Sequence, residues 1–268
     1  MTAVGTAPAS TADTPYLTYR PALGARLRLF CLHHAGGSAA LYRELRGELA
    51  PDGIDVLPVQ LPGREGRIKD VLPSRMDVLV AELDEHLDPA LAAPYALYGH
   101  SMGALIAYEL TRHRTATRPR AAAPETLLLG ACRAPHLPNE LAASYQLPDD
   151  ELAEALTAIG GLSPALAAYP KWLRAAVALT RRDLELCASY RHSPAEPLPC
   201  PVHALSGTED PLATPAEAAE WAAYTRAPFT AHEIPGGHFF PRESPTAFAD
   251  RARLILGDAV RLGPGNER

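Results

Sequence analysis

Cysteine is scarce in this chain: four residues in 268, with no C-x-x-C spacing and no Cys/His cluster, which excludes a disulfide scaffold and a zinc module. Cys31, Cys132, Cys187 and Cys200 are instead expected to be reduced core thiols. Positive charge is not in excess either. Lys and Arg number 25 against 31 Asp and Glu, and the formal charge of −6 would repel a phosphate backbone. Nucleic acid is therefore not expected as a partner. No run of about 18 apolar residues occurs, so no membrane span is expected. Met1 to Asp13 lacks both the basic and the continuous apolar region of a secretory signal, which points to a flexible tail over 1–15 and a cytoplasmic protein.

What remains is an ordinary globular composition, 47% hydrophobic and 21% charged, enough to bury one sizeable core. One catalytic domain over 16–268 is expected. Short apolar runs alternate with amphipathic stretches, the pattern of a mostly parallel sheet flanked by helices, hence an α/β fold. The expected strands are Arg26 to Leu32, Ile54 to Val59, Tyr95 to Tyr98, Thr126 to Leu129, Val202 to Leu205 and Phe229 to Ile234, with Tyr16 to Tyr19 as an edge strand. Helices are expected over Leu41 to Ala50, Met76 to Leu87, Met102 to His113, Pro215 to Tyr224 and Pro245 to Leu256, with Ser74, Thr214 and Ser244 as caps.

One interval breaks the rhythm. About 70 residues separate Leu129 from Val202, far more than one crossover needs. Leu152, Leu156 and Ile159 share one helical face there, and Trp172, Leu173, Ala176, Val177 and Leu179 suggest a second stripe. An inserted helical lid of two or three helices, about 134–199, is expected to cover a substrate.

The strongest local signal is Gly99-His100-Ser101-Met102-Gly103, which matches G-x-S-x-G between an apolar strand pattern and a helical one. A serine on a sharp strand-to-helix turn needs neighbours without Cβ, and the turn pushes its Oγ out of the sheet. Ser101 is the expected nucleophile. The following helix brings free N–H groups to the reacting centre, so the Met102 amide is expected to donate to an oxyanion.

A serine hydroxyl needs a base, and a base needs an orienting acid. The chain order in this fold is serine, acid, histidine, leaving His203, His232 and His238 after the lid. The first two fall inside strands. His238 follows Pro235-Gly236-Gly237, a turn able to return the imidazole over the sheet edge, and is the expected base. The loop after the preceding strand, Ser206 to Pro211, offers Glu209 and Asp210; the shorter Asp210 is favoured because a tight turn fixes it and Pro211 restricts its backbone. Gly130 to Pro138, the main alternative loop, contains no carboxylate. After the first strand comes His33-His34-Ala35-Gly36-Gly37-Ser38, whose glycines permit close approach; Ala35 is expected to supply the second oxyanion amide. No carboxylate stands at ligand spacing from the two histidines, and Gly36-Gly37 lacks the full G-x-G-x-x-G pattern, so neither metal nor nucleotide cofactor is implied.

Together with Gln60-Leu61-Pro62-Gly63-Arg64, Gly207-Thr208-Glu209-Asp210 and Gly236-Gly237-His238-Phe239-Phe240, these segments resemble a type II thioesterase of the α/β-hydrolase superfamily, from about Arg26 to Phe240. The resemblance implies a free-standing partner of polyketide synthases and nonribosomal peptide synthetases that removes stalled or wrong acyl groups from phosphopantetheine arms. It implies a triad of Ser101, Asp210 and His238, oxyanion amides at Ala35 and Met102, no cofactor beyond the arm carried by the substrate, and a monomer whose partners are acyl or peptidyl carrier domains. Such carriers are usually acidic, and so is this chain, which calls for a local basic patch; Lys171, Arg174, Arg181, Arg182 and Arg191 are the candidates. A chain-releasing fatty acyl thioesterase, a small-molecule esterase and a non-catalytic carrier-binding module are the competing expectations.

Overall fold

The computed structural model describes residues 14–262, and side chains up to 260; most of the expected tail lies outside the described residues. Six parallel strands form one sheet in the order β2-β1-β3-β4-β5-β6. They are β1 (Leu27–Leu32), β2 (Ile54–Val59), β3 (Tyr95–His100), β4 (Thr126–Gly130), β5 (Val202–Gly207) and β6 (Phe229–Ile234). The helices are α1 (Arg43–Leu49), α2 (Met76–Leu87), α3 (Met102–Thr117), α4 (Glu140–Ala143), α5 (Asp149–Ala158), α6 (Pro170–Ser189), α7 (Pro215–Ala219), α8 (Phe240–Glu243) and α9 (Pro245–Leu262).

Side chains on a strand alternate between faces, and here both faces are covered. Leu27, Leu29 and Cys31 of β1 pack with α1 and α9 on one side, while Phe30 and Leu32 pack with α2 and α3 on the other. Full burial of each such leucine is worth roughly 1.5–3 kcal/mol, so the continuous apolar runs that mark the strands are also what hold the layers together. The four cysteines are free thiols, three of them buried. Among the described residues no helix is long and apolar enough to cross a membrane.

Several boundaries depart from expectation. Tyr16 to Tyr19 is not an edge strand: only Leu17 bridges, antiparallel, to Val59. The expected helix at Leu41 begins as a 3-10 turn over Ala39–Tyr42, and that over Pro215 to Tyr224 ends as a 3-10 turn from Glu220. Arg75, not Ser74, precedes α2 as its cap residue. Thr214 does cap α7, in a reciprocal capping box with Glu217.

The insertion between β4 and β5 carries α4, α5 and α6. Leu152, Leu156, Leu162, Val177 and Leu184 form an apolar cluster of their own there, apart from the two that sandwich the sheet. Trp172 does not join it. At 70% exposure it faces outward, one turn from the buried stripe that runs through Val177 and Leu184.

Candidate active site

The turn from β3 into α3 is sterically crowded. Ser101 sits at φ 54° and ψ −114°, a conformation that costs an L-residue of order 1–3 kcal/mol. The glycines around it make this possible. A Cβ on Gly99 would lie 2.1 Å from the Gly103 carbonyl oxygen, and one on Gly103 would lie 2.2 Å from that of Leu32. The Ser101 amide donates to Gly130 O at 2.8 Å, tying the turn to β4. Its side chain makes no capping bond to α3, so the hydroxyl is left for other partners.

That partner comes from the far edge of the sheet. β6 ends in Pro235-Gly236-Gly237, with Gly236 at φ 116°, and the loop turns back to present His238. The loops after β5 and β6 lie against each other: Glu209 N donates to Gly236 O at 2.9 Å, and a Cβ on Gly207 would meet the Gly237 carbonyl oxygen at 2.2 Å. Asp210 is buried in this interlock and Glu209 is exposed, and it is Asp210 that meets His238. His238 Nδ1 donates to Asp210 Oδ2 at 2.9 Å, leaving Nε2 to accept from the Ser101 hydroxyl at 3.0 Å. Burial pushes the Asp210 carboxyl up, yet the bond and charge of His238 and the amides of Leu212 and Ala213 outweigh it, so it lies below its ordinary value. It is an ionised acceptor that fixes the imidazole tautomer.

Two residues that carried no sequence signal support this chain from below. His100 Nε2 donates to the His238 carbonyl oxygen at 2.8 Å, and the Tyr98 hydroxyl donates to His100 Nδ1 at 2.8 Å. Burial holds His100 well below the ordinary histidine value, so it is neutral. His203 and His232 stay on the sheet, where they bond each other at 2.9 Å and never approach Ser101. No group of three or more metal-ligating side chains occurs among the described residues.

Ser101 and His238 open into a cavity of about 90 Å3. Ala35 and Met102 line it with the serine; Leu105 comes from α3, and Leu141, Leu184 and Cys187 come from the inserted helices. As the first residue of α3, Met102 has an amide with no partner within its own helix. The cavity is small beside the roughly 300–1,000 Å3 of drug-sized ligand sites.

Of the expected basic patch, Arg181 is half-buried and the other four are exposed. Arg181 bonds the carbonyl oxygens of Tyr145 and Leu147 and pairs with Asp149 at 2.6 Å, so it fastens α6 to α5 rather than offering itself outward. Arg191 folds back on the carbonyl oxygens of Ala188 and Tyr190. Lys171, Arg174 and Arg182 remain exposed on α6.

Comparison with known proteins places this geometry. Residues 27–255 match the Thioesterase domain family. Linear gramicidin dehydrogenase LgrE of Brevibacillus parabrevis is 36% identical over 219 residues, spanning 81% of this chain and 82% of that protein. Thioesterase PikA5 of Streptomyces venezuelae is 35% identical over 230 residues, 83% of this chain and 78% of that one. Among solved structures, the RedJ thioesterase from the prodiginine biosynthetic pathway of Streptomyces coelicolor superposes with a TM-score of 0.79 at 36% identity, covering 88% of this chain and 86% of that one. The chain belongs to the thioesterase family, with the α/β-hydrolase fold of its type II members.

Proposed function

We propose that this thioesterase clears short, stalled acyl groups from the phosphopantetheine arms of carrier domains, using Ser101 as nucleophile, His238 as base and Asp210 as its orienting acid. The observation that carries the proposal is the unbroken hydrogen-bonded series from Ser101 through His238 to Asp210, opening on a cavity of about 90 Å3. Its relatives favour the same class of partner. The RedJ thioesterase is named for the prodiginine biosynthetic pathway. The dehydrogenase name of LgrE belongs to that protein; here the glycines after β1 form no complete dinucleotide-binding pattern.

In the first half-reaction Ser101 Oγ bonds to the thioester carbonyl carbon as its proton passes to His238 Nε2. The Ala35 and Met102 amides hold the oxyanion, where one lost donor typically costs about 10²–10³ in rate. The carbon–sulfur bond then breaks, and the sulfur, a good leaving group, departs as the thiol after taking that proton from His238, which is left neutral for the second half-reaction. Water attacks the acyl-enzyme in turn, giving its proton to His238, which returns it to Ser101 Oγ as the acid leaves. The protein needs no cofactor of its own. The helices of 134–199 act as the lid, narrowing the cavity from above.

Mass spectrometry of a carrier domain loaded in turn with acetyl, propionyl, malonyl and octanoyl groups tests both halves of this. Acetyl and propionyl should disappear first, and Ser101→Ala should reduce their loss by at least about 10³-fold. Unchanged hydrolysis by Ser101→Ala would overturn Ser101 as the nucleophile, and no hydrolysis of any loaded carrier by the wild type would leave only a carrier-binding module. Preference for octanoyl would make the protein a chain-releasing enzyme, and indifference to the carrier a small-molecule esterase.

A further inference from the structure

Asp183 of α6 lies on the inserted helix, is fully buried, and touches neither Ser101 nor His238. Its carboxylate spans two loops of the body. Oδ2 accepts from the Gly36 amide at 2.7 Å and from Arg64 Nη1 at 2.7 Å, while Oδ1 accepts from Arg64 Nη2 at 2.6 Å. Arg64 is itself 3% exposed and donates two further hydrogens, to Gly37 O at 3.1 Å and Pro62 O at 3.1 Å. α6 also presses on this loop directly, since a Cβ on Gly36, at φ +78°, would meet Thr180 Oγ1 at 2.3 Å.

We infer that Asp183 is a positioning residue for the oxyanion site, locking the Ala35 amide through its neighbour Gly36, with Arg64 cancelling the charge this requires. The inference rests on the proposed use of Ala35 as an oxyanion donor. An amide is useful there only if its direction is fixed before charge develops. The Ala35–Gly36 peptide follows the one that bears the Ala35 N–H, and a glycine pair with free backbone rotation would otherwise let that N–H wander. A carboxylate is the strongest acceptor the chain has for the Gly36 N–H. Alone it would set negative charge close to the place where the oxyanion forms. The bidentate guanidinium removes that penalty, and it binds the loop after β2 into the same lock. The inserted helix thereby supplies part of the catalytic geometry of the body, which is a different task from covering a substrate.

The test uses a short acyl thioester of a small thiol, with rates scaled to active sites counted by a fluorophosphonate. Arg64→Met with Asp183→Leu removes both charges together and leaves no buried ion unpaired. This double variant should keep KM within about twofold and lose about 10–100-fold in kcat, with affinity for a trifluoromethyl ketone, whose adduct carries an oxyanion, falling by the same factor. Asp183→Asn, nearly isosteric, offers one acceptor oxygen to three donors. It should lose about 3–10-fold in kcat and so retain more activity than the double variant. A merely structural role would lower the count of active sites or the melting temperature and leave kcat per site unchanged. Wild-type kcat per site in either folded variant overturns the inference. If Ser101→Ala retains hydrolysis, the underlying assignment fails instead, and the two failures are separable.

Discussion

At the scale of single residues, the site depends on an imidazole that never meets the substrate. His100 holds the backbone of His238 by one bond, and Tyr98 holds His100 by another. His100→Ala removes the donor beneath the His238 carbonyl, and displacements near 1 Å in a reacting group cost up to about 10²-fold. We expect kcat to fall roughly tenfold with KM unchanged; an unaltered kcat in steady-state assays would show that the loop after β6 holds itself. His33 and His34 bear on stability. Burial first, and neighbouring positive groups after it, bring each down to about 3 from an ordinary 6.5. Their folded values are depressed, so the unfolded chain takes up protons there below pH 6.5 that the folded chain refuses. Stability is complete above about 6.5 and drains away as pH falls toward about 3, by about 1.4 kcal/mol per unit for each group. The melting temperature between pH 7.5 and 4.5 should therefore fall more steeply for the wild type than for His34→Gln. The hydrogen-bonded grouping of Ser101, His238 and Asp210 could be anticipated from the sequence because each lies within two residues of glycine or proline in a loop of fixed chain order. His100 and Asp183 could not, because their roles rest on contacts spanning 138 and 119 positions that no local pattern encodes.

At the scale of elements, backbone crowding sets the geometry. Gly99 and Gly103 are places where strand, turn and helix touch without side chains between them. Gly103→Ala would force the Leu32 carbonyl aside, and such overpacking against backbone should cost about 3 kcal/mol or more. Denaturant unfolding would measure it, and a loss below about 1 kcal/mol would mean that β1 yields more readily than the distances imply. The strands were legible because apolar runs of fixed length bounded by turn residues have few other uses: β2 and β6 match their expected limits, and β3 runs on to His100. Helix ends were less so. Pro51 and Glu220 lie where an α-helix passes into a 3-10 turn, a choice made by i+3 bonding in the last turn rather than by periodicity. Leu17 makes one bridge where a strand was expected: its amide turns back to Thr14 O, and Thr18 reaches Pro58 O through its hydroxyl rather than its amide.

Across the whole molecule, the charge balance and the inserted helices meet on α6. The chain is net acidic, yet Lys171, Arg174 and Arg182 stand exposed on that helix, beside the open face of Trp172. If an acidic carrier docks there, reversing all three charges should raise KM for an acylated carrier at least fivefold and leave a small thioester untouched, an effect that fades with salt. Equal kinetics on both substrates would move the docking face elsewhere. Arg181→Glu should instead lower the melting temperature, since that side chain ties α6 to α5.

The inserted helices also keep a hydrophobic cluster of their own, and Leu184 belongs both to it and to the wall of the cavity above Ser101. Volume-conserving exchanges among such residues usually cost under about 1.5 kcal/mol, whereas the glycine contacts that aim the serine tolerate no added atom. Mutation is thus channelled. A lineage carrying this fold is free to redraw which acyl groups are admitted, generation by generation, while the bond-breaking apparatus is inherited unaltered.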